Sequence, residues 1–210
     1  MRTAYRQALD NARLDVVRLG ALTLDAVRSG THALERRDGA LAARVIAGDD
    51  EIDDTRRRVE AACIELIWKQ QPVAGELRAI AGMLQIVTDL ERIGDYAVDI
   101  SKSAIRLIDV AVRPASVEIG QIAAAAQTML ADAMRAYREG DPALADSVID
   151  RDDEVDQLYH SGIATLQDEM QADPGTVPAA TLLLFVLASI ERVGDRAQNI
   201  AWKTKDILDA

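Results

Sequence analysis

The chain of 210 residues contains a single cysteine, Cys63, so it closes no disulfide within itself and gives no sign of an oxidising compartment. Aromatic residues are only 3 % of the sequence, which argues against sheets rich in aromatic and β-branched side chains. Proline is scarce at five residues, and none falls between Met1 and Arg37. Positive charge is also short: 24 Lys and Arg against 35 Asp and Glu leave a net charge of −11. Such a surface repels nucleic acid and suits a metal cation or a basic patch on another protein. The longest uncharged apolar run, Val177 to Ile190, has fourteen residues. That is below the roughly 20 residues a membrane helix needs, and it suits a buried helix. The opening Met1-Arg2-Thr3-Ala4-Tyr5-Arg6 lacks the apolar centre of a signal peptide, so the expected location is cytoplasmic. Hydrophobic residues, at 49 %, are enough for a core, and Cys63 in its apolar stretch reads as a small member of it.

What is present is a repeat. Leu90-Glu91-Arg92-Ile93-Gly94-Asp95-Tyr96-Ala97-Val98-Asp99-Ile100 returns as Ile190-Glu191-Arg192-Val193-Gly194-Asp195-Arg196-Ala197-Gln198-Asn199-Ile200, six of eleven positions identical at an offset of 100. Val45 to Asp53 returns as Val148 to Asp156, six of nine identical at an offset of 103. Two echoes in the same order mean an internal duplication, and hence two packed halves. Leu9, Val16, Leu19, Leu22, Ala26 and Ala33 recur at helical spacing and predict a first helix from about Met1 to Arg37. Asp38-Gly39 interrupts it, and Asp38 caps a second helix running to Gln70. Gln71-Pro72 ends that one, and a third extends from about Val73 to Val110. Val112 to Ser116 is the break between halves. The same plan then follows: a helix from Ser116 to Glu139, a turn at Gly140-Asp141-Pro142, a helix to Ala172, a turn at Asp173-Pro174-Gly175, and a last helix from Thr176. The expected fold is all-α: two tandem, similar three-helix bundles of six long helices, spectrin-like in plan, covering residues 1–112 and 113–210.

Four carboxylate pairs stand at i, i+4: Asp49 with Asp53, Glu91 with Asp95, Asp152 with Asp156, and Glu191 with Asp195. Residues four apart share a helix face, where like charges repel. Glu91 and Asp95 continue the stripe of Leu84, Thr88 and Val98, so they extend a largely apolar face toward the core, where bare carboxylates are costly unless paired or bound to a metal. Asp49 lies 22 residues before Gln71 and Glu91 lies 20 after it, which puts both pairs at one height on antiparallel neighbours. In the second half, Asp152 lies 23 residues before Gly175 and Glu191 lies 16 after it, a looser match. Each half can thus gather four carboxylates into an all-oxygen site for Mg²⁺, Mn²⁺, Ca²⁺ or iron. Without His or Cys ligands, structural zinc does not fit. The competing reading is ion pairing with Arg78, Arg92, Arg192 or Arg196. Asp99 and Asn199, one turn further on, are either outer acceptors around such a site or surface residues. Gly94 and Gly194 cost their helices about 1 kcal/mol each against alanine; they either make room for a metal or allow close helix packing.

Three stretches carry a resemblance. Gln70-Gln71-Pro72-Val73-Ala74, Leu77-Arg78-Ala79-Ile80 and Leu90 to Asp95 resemble the PhoU family of phosphate-uptake regulators, as do Ile190 to Asp195 and Asn199-Ile200-Ala201. The resemblance covers nearly the whole chain. It implies two three-helix bundles, often as a homodimer, and metal clusters (iron, manganese or magnesium) on Glu91, Asp95, Glu191 and Asp195, and by the same pattern on Asp49, Asp53, Asp152 and Asp156. It also implies an adaptor and not an enzyme. Such an adaptor restrains the high-affinity phosphate ABC transporter, through its ATPase, and the associated sensor histidine kinase. It meets the membrane only through these partners and does not bind nucleic acid. Three departures fall in the second half: Arg196 where the motif often has His, Trp202 where the family often has Glu, and an end at Ala210 without the usual short tail. They make the second cluster the weaker expectation.

Two other functions compete. A di-metal carboxylate oxidoreductase built on a helical bundle needs Glu-x-x-His, but Ser29 and Gln157 precede His32 and His160 by three residues. A purely structural helical scaffold would leave the acids facing solvent. Direct phosphate sensing is disfavoured by the negative charge unless a bound cation reverses it locally.

Overall fold

A computed structural model describes residues 2–72, 74–110 and 118–209. The first half holds α1 (Arg2–Arg36), α2 (Gly39–Gln70) and α3 (Ala74–Leu107). The second holds α4 (Ile119–Glu139), α5 (Pro142–Asp150), α6 (Asp152–Ala172) and α7 (Val177–Leu208), with a 3₁₀ turn at Pro174–Thr176 before α7. These are the six long helices expected, the fifth being interrupted. The break expected at Val112 to Ser116, with the boundary at 112/113 and the start of the fourth helix at Ser116, lies outside the described residues.

The turns follow from local chemistry. Asp38 accepts the amide hydrogen of Leu41 at 2.9 Å. Asp141 accepts those of Ala143 and Leu144, both at 3.0 Å, with Pro142 in the first turn of α5. Asp173 does the same for Gly175. Each cap meets amide hydrogens that have no partner inside the helix. The residue before each of the first two caps is left-handed, Gly140 at φ +65° and Arg37 at φ +54°. In both turns the cap amide closes back on the helix before it, Asp38 to Ala33 and Asp141 to Ala136.

The interruption of the fifth helix has its own cause. The Arg151 guanidinium turns back to the carbonyl of Ser147 at 3.1 Å and reaches Asp132 on α4 at 2.6 Å. Its backbone amide closes on Val148, one residue short of the α-helical register. Asp152, Asp153 and Glu154 then form the first turn of α6, where negative charge is favoured. The counterpart of Arg151 is Gly48, inside an uninterrupted α2.

α3 and α7 form the centre of the molecule, each packed in its own bundle and along the other. Ile86, Leu90, Ile93, Val186, Ile190 and Val193 are fully buried, each contributing about 1.5–3 kcal/mol of burial. Cys63 is also inside, where burial pushes its thiol to about 11. Gly82 meets Ile207, Asp89 meets Arg196 and Tyr96 meets Arg192, so α3 and α7 run antiparallel. Their contact is centred near Ile93 and Val193, which are counterparts in the repeat. α1 and α4 are also counterparts and also antiparallel: Gly20 lies against Met134, and Gln127 donates to Thr31 at 3.0 Å. A local two-fold therefore relates the halves. Pro174–Leu208 is long and apolar enough to cross a membrane by length and composition, yet Ala179, Leu182, Val186, Leu187 and Ile190 within it face the core.

Candidate metal centre

α2 and α3 carry the first cluster. Gly94 lets α2 come close: a Cβ there would lie 3.2 Å from Ile52 and 3.5 Å from the Asp49 carboxylate. All four acids, Asp49, Asp53, Glu91 and Asp95, are half-buried. Burial raises Asp49 above the usual carboxylate range, and Asp95, Asp53 and Asp50 push it the same way. Burial and then Asp95 raise Glu91, with Arg92 and Arg56 opposing. Asp49 and Asp95 thus face each other across the helices, but among the described residues no three of these four acids bring carboxylate oxygens within 4.8 Å of one another. Counter-charge is close: Arg92 lies 3.2 Å from Asp95 and 3.7 Å from Glu91, and Arg57 lies 3.5 Å from Asp53.

α6 and α7 carry the second cluster. Gly194 again marks a close approach, the three atoms nearest a Cβ there all belonging to Val155, the first at 3.2 Å. Asp156, Glu191 and Asp195 each offer one oxygen within 4.8 Å of the others. Burial, then Asp195, Asp156 and Asp153, raise Asp152 to about 6. Glu191 and Asp195 are raised by burial and by the neighbouring acids. Counted from the helix ends the match is close: Asp156 stands 16 residues before Ala172 and Glu191 stands 14 after Val177, so these two lie at nearly one height.

Asp152 is held by a residue that the repeat does not reveal. The Gln198 amide donates to Asp152 Oδ2 at 2.7 Å and reaches the carbonyl of Ile149 at 3.4 Å. Its counterpart is Val98, so no echo flagged it. The ion pair between Arg196 and Asp89 at 3.2 Å, which joins α7 to α3, was equally invisible because Ser189 stands opposite Asp89 in the repeat. Of the outer pair, Asp99 is exposed and lies 3.9 Å from Lys102, which itself acts on Asp49. Asn199 is half-buried on α7.

The donor set fits a hard cation. It is all oxygen and partly withdrawn from water, and burial and mutual repulsion raise several of its carboxyls above their ordinary range. Three carboxylates from two helices would leave a cation further positions for water.

The PhoU domain model matches the chain twice, over residues 16–104 and 119–204. The phosphate-specific transport system accessory protein PhoU homolog of Caulobacter vibrioides (strain NA1000 / CB15N) is 37 % identical over 94 % of this chain and 86 % of its own length. The protein of the same name from Clostridium acetobutylicum is 36 % identical, covering 97 % of this chain and 93 % of its own. The crystal structure of PhoU from Pseudomonas aeruginosa superposes with a TM-score of 0.95 at 32 % identity, over 98 % of this chain and 99 % of that one.

Proposed function

The chain belongs to the PhoU family, and on that premise we propose that it is a metal-binding adaptor of phosphate uptake that works without catalysis. Its relatives are named as accessory proteins of phosphate transport. In this reading the chain acts in the cytoplasm as a homodimer whose subunits are built of repeats 1–112 and 113–210. It restrains the high-affinity phosphate ABC transporter by contact with the ATPase, and the sensor histidine kinase by a second contact.

The observation that carries the metal part is the convergence of Asp156, Glu191 and Asp195 from two helices. Iron, manganese or magnesium, when bound, supplies the positive charge these acids lack. Asp156 would hold it from α6 and Glu191 and Asp195 from α7, with Asp152 beside them; Asp49, Asp53, Glu91 and Asp95 are the counterparts. Without counter-charge, half-buried carboxylates on facing helices push those helices apart. Joined, they fix α6 on α7 and α2 on α3, and partners recognise the outer surface of that packing.

The test begins with metal content. Protein purified without chelator should carry at least one ion per chain, and the variant with Glu91→Gln, Asp95→Asn, Glu191→Gln and Asp195→Asn should carry none. Transporter ATPase and kinase should then bind the loaded protein more tightly than the chelated one. Equal metal content in both proteins, or equal partner binding with and without chelator, would overturn the proposal.

A further inference from the structure

The two clusters are counterparts, but their arginines are not placed alike. In the first half, Arg92 and Arg57 come within ion-pair distance of Glu91, Asp95 and Asp53. In the second, among the described residues, no basic side chain comes within 4.0 Å of Asp152, Asp156, Glu191 or Asp195. The counterpart of Arg92 is Arg192, whose guanidinium lies over the ring of Tyr96 at 5.8 Å from its centre. Arg196 is held by Asp89 at 3.2 Å. The counterpart of Arg57 is His160, whose ring packs beside that of Tyr159 at 5.3 Å.

Tyr96 and Asp89 both belong to α3, in the opposite half. The position matching Tyr96 in the second half is Arg196, which offers no ring to Arg92. Arg92 is therefore left on its own cluster, while Arg192 is held beyond ion-pair distance of Glu191 and Asp195 by a neighbour from the other repeat, though its charge still acts on both. A guanidinium over an aromatic face is a favourable placement, and more so when partly desolvated.

We propose that Tyr96 is a positioning residue for the opposite half: it keeps Arg192 over its ring and out of ion-pair contact with Glu191 and Asp195, so the second cluster takes the first divalent cation and the first cluster a later one. This rests on the metal-binding reading above. A cation entering the first cluster must displace Arg92 and Arg57; entering the second, it displaces no ion pair. Partly exposed ion pairs are individually weak, and breaking those of the first cluster separates the two affinities by roughly tenfold.

The experiment is a Mn²⁺ titration of the chelator-stripped full chain at pH 7.5, read by loss of the free-ion electron paramagnetic resonance signal. Wild type should show two classes about tenfold apart. Asp156→Asn with Glu191→Gln should remove the tight class, and Asp53→Asn with Glu91→Gln the weak one. Tyr96→Leu should weaken the tight class severalfold, Tyr96→Phe, which keeps the ring under Arg192 and loses only the hydroxyl beside Arg196, should weaken it less, and Arg92→Ser should tighten the weak class. Circular dichroism confirms that each variant keeps its helices. A tight class that survives loss of Asp156 and Glu191, or one indifferent to Tyr96→Leu, overturns this inference alone. No Mn²⁺ binding by wild type overturns the metal reading and this inference with it.

Discussion

Replacing Gly82 by alanine tests the packing of the two central helices. An exposed helical glycine exchanged for alanine gains about 1 kcal/mol. At Gly82 the new Cβ would fall 2.5 Å from both Cδ1 and Cγ1 of Ile207, with the Lys203 carbonyl at 4.0 Å. Carbon atoms prefer roughly 3.5–4.0 Å, so Ile207 must turn to another rotamer or α7 must shift. Overpacking of this kind costs about 1–3 kcal/mol, and the net change runs from neutral to about 2 kcal/mol destabilising. Gly48 provides the contrast, because a Cβ there meets nothing within 4 Å. Gly48→Ala should therefore stabilise by about 1 kcal/mol. For a chain of 210 residues, each kcal/mol moves Tm by roughly 2–3 °C. Thermal unfolding followed by circular dichroism in chelator should raise Tm by about that amount for Gly48→Ala. For Gly82→Ala it should leave Tm level or lower it by up to about 5 °C. Adding Ile207→Ala to Gly82→Ala should show a favourable coupling of about 1 kcal/mol or more. If Gly82→Ala raises Tm as much as Gly48→Ala, α3 and α7 do not approach as described.

Arg37 sits left-handed at φ +54° where the second half has Gly140. Arg37→Gly should stabilise the protein by about 1 kcal/mol, measured by urea unfolding. In the metal-free protein, burial and neighbouring acids raise Asp152 to about 6 from 3.8. A carboxyl raised by folding favours the folded state below its unfolded value and loses that contribution as pH climbs through about 6. Chelated protein should therefore melt higher at pH 5 than at pH 7, and Asp152→Asn should flatten that slope; a Tm rising over this range with an unchanged slope in the variant would refute it. At pH 7.5 the order reverses with metal: Mn²⁺ at about 100 times its dissociation constant should stabilise by about 2.7 kcal/mol, and the variant lacking Glu91, Asp95, Glu191 and Asp195 should not respond.

The architecture was legible because its causes are local. Helical periodicity, Asp38 and Asp141 as caps, and Pro72 and Pro142 as punctuation all act within a few residues, and the duplication states the periodicity and the aspartate cap twice. The grouping of acids by height was legible for the same reason, since two helices joined by a short turn are a ruler. The break at Arg151 was not, because it depends on Asp132, nineteen residues away on another helix. Gln198, Asp89 and Tyr96 were missed because they act across helices at positions where the repeats differ. A reading that trusts what recurs passes over residues that matter because they do not.

The local two-fold has a further consequence. Two identical three-helix chains meeting across α3 would form an isologous pair, in which every substitution appears on both sides of the axis at once. Such a pair could not place a tyrosine opposite an arginine and omit the reciprocal contact. Once both copies lie in one polypeptide, the positions on either side of the axis vary independently. Asp89 against Ser189 and Tyr96 against Arg196 are that freedom in use. Covalent fusion thus converts a symmetric seam into a polar one, with a giving side and a receiving side.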